Sequence, residues 1–230
     1  FQEVQIWEFY KTVAQNGGSL LSSDGKKFTI NSPENIETLQ AMLDRVRVHG
    51  VMPSETERAD VGKEDLFSKG QLGMFIGGIW NFTKFKNEIK DFEWDIQVEP
   101  GNKTKATHLF ANVSLISKNS KNPEEAFVFI NALASDPDIV KYRIDAGWEA
   151  PGTTNEDVKK AFVAVTPPSN KQAVIDSAEY AVLPPKFTDW SRFCSDIINP
   201  KLEAARTNTR TAKEILDEVQ KEAEAGIKLD

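Results

Sequence analysis

FSKGQLGMFIGGIW, residues 67–80, reads as a helix end, a tight turn, an apolar strand and an aromatic beside two glycines. Phe67, Ser68 and Lys69 close a short helix, and Gly70 supplies the positive φ that a helix C-terminus wants. Residues 72–76 are an apolar run of strand length, ended by Gly77 and Gly78. Glycines at the carboxyl end of a strand let a ligand or another backbone approach closely, and ligands of α/β sheets gather at that edge. Trp80 is therefore a candidate to face a ligand; the competing reading is a core tryptophan under a loop.

Composition narrows what such a site serves. The 230 residues can bury a substantial core as one large or two small domains. A net charge of -7 argues against a nucleic-acid surface, which needs clustered Lys and Arg, so no nucleic-acid partner is expected. The longest apolar runs are too short to span a bilayer. One cysteine, Cys194, excludes an internal disulfide and argues against a cysteine-based metal site; beside Phe193 in a helical pattern it reads as a packed thiol.

Outward from the opening stretch the chain alternates helix signals with short apolar runs. An amphipathic pattern already under way at Phe1 runs through Val4, Trp7, Phe9, Tyr10 and Val13 to Gly17. Ser32 caps a helix with Pro33 at its first position, with Ile36, Leu39, Leu43 and Val46 on one face and Gly50 as its stop. Residues 28–30, 72–76 and 94–98 are candidate strands, 99–103 is a linker rich in Pro, Gly and polar residues, and 110–117 is β-rich. Asn122, Pro123 and Glu125 read as cap, first position and capping-box partner of a helix through Ala134. Asp136-Pro137 starts another that ends at Gly147, a turn-rich segment follows from Pro151 to Thr154, and a short helix starts at Glu156. Thr211 with Glu214 forms a second capping box, before a stripe of Ile215, Leu216, Val219 and Ala223.

Phe67, Gly70, Met74, Gly78 and Trp80 make an F-x-x-G-x-x-x-M-x-x-x-G-x-W string. It resembles one found in the solute-binding proteins of bacterial ABC sugar importers, the maltodextrin-binding-like extracellular family. Asn16-Gly17-Gly18, Asp24-Gly25-Lys26, Asn31-Ser32-Pro33-Glu34 and the stretch from Ile116 to Ala126 follow in the family's order, so the resemblance covers nearly the whole chain. It implies an α/β fold of the periplasmic-binding-protein class II type, two lobes around a cleft with the first lobe incomplete, and a chain that is the carboxyl-terminal portion of a longer one. The expected organisation is a first part of the second lobe at 1–103, a segment returning to the first lobe at 104–165, and closing helices of the second lobe at 166–230. Hinge crossings are expected near 99–107 and 152–170. The implied function is to bind a carbohydrate outside the cytoplasmic membrane, as a periplasmic protein or cell-surface lipoprotein, and to deliver it to ABC transporter permease subunits. No cofactor is implied, and the membrane is met only through an anchor or the permease. A chain holding one lobe and part of the other is also expected to expose Phe110, Phe127, Ile130 and Leu133 and to self-associate.

A sugar presents apolar CH faces ringed by hydroxyls, so its site needs flat aromatics with nearby hydrogen-bonding groups. The family's matching tryptophan stacks on sugar, which selects Trp80. Trp7 lies near an aromatic of the family's opening helix, with a core role as the alternative. Trp190 follows Leu183-Pro184-Pro185 in the manner of a family aromatic, with Phe193 as its competitor. Trp148, between Gly147 and Pro151, is placed to line the cleft. Asn112 is a candidate amide partner, against a strand-edge turn residue. Trp94 reads as core, and Asn81 as a helix cap or a polar neighbour of Trp80. Catalysis finds little support: the two histidines, His49 and His108, accompany no nucleophile elbow, P-loop or HExxH string. Glu93 and Asp95, one strand face apart, give the alternative of a sugar-active enzyme; the other alternative is a non-catalytic interaction module.

Overall fold

In α1 (Ile6–Gln15), residues Ile6, Phe9, Tyr10 and Val13 fall three and four apart and are all buried, the one-sided stripe that turns a helix against a core. The computed structural model that shows this describes all residues apart from 59, 60, 148, 149, 151 and 230. The helix ends at Asn16, and Gly17 takes φ +77°, a left-handed position that costs glycine little. Its amino end starts at Ile6, not at Phe1 as the amphipathic pattern suggests. Phe1 and Val4 are apolar for a different reason: Val4 is buried, and Phe1 pairs with the 74–76 segment, its carbonyl accepting from the Ile76 N–H at 2.8 Å and its ammonium donating to the Met74 carbonyl.

Helix α2 (Pro33–Arg47) starts as expected, with the Ser32 hydroxyl accepting from the Asn35 N–H, and buries Leu39, Met42 and Leu43. It approaches α1 so closely at Gly18 that a Cβ there would collide with Asn35 Oδ1 and lie 3.1 Å from Val13 Cγ1. The last long helix, Ala212–Gly226, opens with the Thr211–Glu214 capping box and buries Ile215, Leu216, Val219 and Ala223. Between α1 and α2 in the chain a small hairpin turns at Gly25, with one antiparallel bridge from Leu21 to Phe28. Phe28 stacks on Phe193 at 6.0 Å between centroids. Phe187, Ile198 and Leu202 complete this core. Cys194 lies in it, its thiol pushed up to about 12 by burial, as a packed thiol should be.

The helix that delivers Trp190 is irregular. Trp190–Arg192 is α-helical, Phe193–Ile198 forms a wide π turn, and Asn199–Ala205 returns to α geometry. Pro200 supplies the cause: it lacks an N–H, and its ring crowds the carbonyl four residues back, which the wider turn relieves.

The remaining helices are Glu55–Arg58, Lys63–Ser68, Phe82–Glu88, Pro123–Ser135, Pro137–Asp145, Glu156–Ala164 and Gln172–Ser177. Phe67, Phe75, Phe85 and Trp94 form a separate aromatic cluster under Phe82–Glu88, the packed role expected for Trp94. Two parallel strands, β1 (Thr107–His108) and β2 (Ala181–Val182), pair with Thr107 opposite Ala181 and His108 opposite Val182.

Among the described residues these are the only paired strands. Candidate strands at 72–76, 94–98 and 110–117 form none, and 28–30 contributes a single bridge. A strand exists by lateral hydrogen bonds to a neighbour, and an apolar run fixes only which residues seek burial. In 110–117 Phe110, Val113 and Leu115 are exposed. Asn122 likewise precedes its helix at Pro123 without a side-chain capping bond; its own N–H bonds the Ser120 hydroxyl. Asp136, by contrast, accepts from both Asp138 and Ile139 N–H groups, and Gly147 takes φ +67° beyond that helix.

Candidate functional site

Three of the tryptophans singled out in the sequence come together through one phenylalanine. Trp7 of α1 meets Trp190 at 6.2 Å between centroids and Phe110 at 5.6 Å, and Phe110 meets Trp80 at 6.2 Å. All three pairs are edge-to-face, the arrangement that aromatic quadrupoles favour. Trp80 is 58% exposed, whereas Trp7 and Trp190 are half-buried. Tyr10 extends the cluster to Trp7 at 6.2 Å and Trp190 at 6.3 Å.

Each ring is seated by a local device. The Trp80 indole lies over Gly78, where any Cβ would collide with its six-membered ring; the space at Gly78 is taken by this ring and not by a ligand or another backbone. Trp7 and Trp190 are tied by Asn199, whose Oδ1 accepts from the Ile6 N–H at 2.9 Å. Gln5 gives α1 no side-chain cap, so the helix bearing Trp190 supplies it. Phe193, the competitor of Trp190, points into the core and is buried. On the far side, β1 ends at His108, and Phe110 follows two residues on.

Polar groups in the cluster are sparsely satisfied. Tyr10 Oη, Trp190 Nε1 and His108 Nε2 are buried without a hydrogen-bond partner. Burial, helped by Glu8, pushes the Tyr10 hydroxyl up to about 12, so it remains a neutral donor. Behind Trp7, the Lys11 ammonium is 1% exposed and sits between Glu8 at 2.8 Å and Glu99 at 2.6 Å. Burial alone would raise Glu8, but the Lys11 charge and hydrogen bond outweigh it and hold the carboxyl below its ordinary range. Gln2 also donates to Glu8.

The other candidates lie apart from this cluster or beyond description. Asn112 is exposed, and Trp148 falls outside the described residues. Asn81 is buried against Gly77. Glu93 and Asp95 are both exposed; Asp95 accepts from the Asn170 N–H at 2.8 Å and from the Ile96 N–H, which fastens a loop. His49 is exposed at a helix end. Sequence reading missed Tyr10, Phe110 and His108. The signal for Tyr10 was its three-residue spacing from Trp7; the sequence carried none for the other two, whose ring contacts lie with residues far along the chain.

Comparison with known proteins gives the family and the fold. Residues 5–164 match the family described as "Bacterial extracellular solute-binding protein". An ABC substrate-binding protein from Listeria monocytogenes, solved in complex with cycloalternan, is 39% identical over 99% of this chain with a TM-score of 0.91. The chain spans 58% of that protein's length. A maltose-bound protein of T. maritima (21% identity, 97% of this chain, 59% of that one, TM-score 0.74) shares the fold. So does a cyclo/maltodextrin-binding protein solved with maltotetraose (17% identity, 99% of this chain, 60% of that one, TM-score 0.69). By the match over residues 5–164 and the 39% identity over nearly its whole length, the chain belongs to the bacterial extracellular solute-binding protein family.

Proposed function

We propose that the protein captures an oligosaccharide outside the cytoplasmic membrane and presents it to the permease of an ABC importer, with no chemical step on the sugar. The observation that carries this is the chain of ring contacts that runs from Trp190 to Trp7, from Trp7 to Phe110 and from Phe110 to Trp80. A run of indoles with one widely exposed ring suits a chain of sugar faces, each stacked on an aromatic and edged by hydroxyls. Cycloalternan in the relative at 39% identity supports a glucose-built ligand. In this reading residues 1–103 and 166–230 belong to the second lobe and 104–165 to the first, and the lobes close on the ligand by hinge motion. In this reading the full recognition surface also includes Asn112 and Trp148.

Calorimetric titration with cycloalternan, maltotetraose and monosaccharides tests the reading. Reversible binding of an oligosaccharide without product is expected. Trp80→Ala should weaken that binding by about 1–3 kcal/mol and leave the melting temperature unchanged, because an exposed stacking ring contributes to the ligand contact and not to the core. Release of a shorter sugar would move the protein into the sugar-active enzymes, and an unaltered affinity in Trp80→Ala would remove that ring from the site.

A further inference from the structure

His108 joins the two sides of the aromatic cluster. Its ring lies 5.2 Å from that of Tyr10 on α1 and 5.3 Å from that of Phe110, and Phe110 in turn touches both Trp7 and Trp80. The backbone fixes its place, since β1 holds His108 opposite Val182 and the Ala106 carbonyl just before it accepts from Gln15 Nε2 at 2.9 Å. His108 Nε2 is buried with no partner. A protonated imidazole needs a partner for each of its two N–H groups, and a buried charged donor without one is costly.

We propose that His108 is a positioning residue of the carbohydrate site: as a neutral spacer between Tyr10 and Phe110 it sets the ring on which Trp7 and Trp80 are seated. The inference rests on the carbohydrate-binding reading. The surroundings of the ring agree with a neutral state. Burial has the largest influence on His108 and lowers its pKa, with Lys11 of α1 and Lys63 acting in the same sense; Glu8 and the Trp7 backbone oppose them without prevailing. Tyr10 is neutral, Glu99 faces Lys11, and Ala181 and Val182 of β2 bring no charge. Acid should therefore charge the ring only below the ordinary imidazole range, and at the expense of the aromatic seat.

Linkage makes this measurable in both directions. If protonation of His108 weakens sugar binding, sugar must lower the His108 pKa by the same free energy. The experiment is a histidine NMR titration of the isotope-labelled protein with and without saturating maltotetraose or cycloalternan. The chain has two histidines, so a His49→Gln variant identifies the signal. Calorimetric affinities are measured alongside, from neutral pH down to about pH 5. His108 should titrate below the ordinary range, and lower again with sugar bound. Wild-type affinity should fall several-fold toward the acid end. His108→Phe, which keeps a ring and removes the proton, should lose the acid weakening: its affinity at the acid end should equal its own affinity at neutral pH. A His108 titration indifferent to sugar overturns the proposal, as does the same acid weakening in His108→Phe. Should that variant not fold, the wild-type titration decides alone. Absence of sugar binding by the wild type at neutral pH overturns the carbohydrate reading and this proposal with it, whereas binding with a sugar-insensitive His108 overturns the proposal alone.

Discussion

Lys11 shows how one residue can carry more than its sequence context reveals. Its position in an amphipathic helix gives the main chain but not the environment: the ammonium is buried beside Glu8, three residues earlier, and Glu99, far along the chain. A buried pair adds little over an apolar replacement of both partners, but removing one partner strands the other. Lys11→Met should therefore destabilise the protein by roughly 3–5 kcal/mol at neutral pH. The pH dependence follows from Glu8. In the wild type its pKa is held down, so its stabilising contribution is present at neutral pH and lost as pH falls through the lowered value. Without Lys11 only the weaker influence of His108 and the Gln2 hydrogen bond oppose burial, so Glu8 shifts upward and protonation relieves the stranded charge. The deficit against wild type should shrink as pH falls, which denaturant melts at several pH values would show; a deficit constant with pH would mean that Lys11 acts through packing alone.

At the scale of elements, what the sequence could convey depended on how local each cause was. Ser32 with Pro33, Thr211 with Glu214 and the stripe on the last helix are local patterns, and each element stands where its pattern put it. The runs at 72–76, 94–98 and 110–117 carry strand composition, yet strand formation is decided by a partner elsewhere. In the site, Gly77-Gly78 announced Trp80 because the glycines and the ring they admit are neighbours in sequence. The choice between Trp190 and Phe193 was not legible, since both lie on one helix and the π turn that sends Phe193 to the core arises from Pro200. Gln220 is a further non-local tie: from the last helix, its Oε1 accepts the Ile30 N–H at 2.8 Å and its Nε2 donates to the Phe28 carbonyl at 2.9 Å. Ile30 is fully buried, so Gln220→Leu leaves an amide there with no partner and should cost about 1–3 kcal/mol. A shift of the denaturation midpoint with helix content unchanged is the expected result; no shift would mean that the hairpin finds another donor and acceptor.

Across the whole molecule, the segment that leads out of the first part of the chain is fastened to α1 along its length. Lys11 holds Glu99, the Thr104 N–H donates to the Gln15 carbonyl at 3.0 Å, the Thr104 hydroxyl donates to the Ala14 carbonyl at 3.0 Å, and Gln15 Nε2 reaches the Ala106 carbonyl. A linker rich in Pro, Gly and polar residues looked like a place for backbone angles to change. Under the proposed closure, a segment tied in this way should move with α1, and the bending should fall at β1 and beyond. Val113 and Leu115, at 75% and 85% exposure, lie in a stretch without strand pairing. Backbone amides held by native hydrogen bonds exchange with solvent through opening of the unit they belong to, whereas loosely held segments exchange by small local fluctuations. The Thr104 amide should therefore exchange at the pace of α1 and at least about tenfold more slowly than those of Val113 and Leu115. Glu99→Gln, which weakens the hold of Lys11, should speed Thr104 selectively. Thr104 exchanging as fast as Leu115 in the wild type would return the hinge to 99–106 and reduce these bonds to contacts that open with every closure.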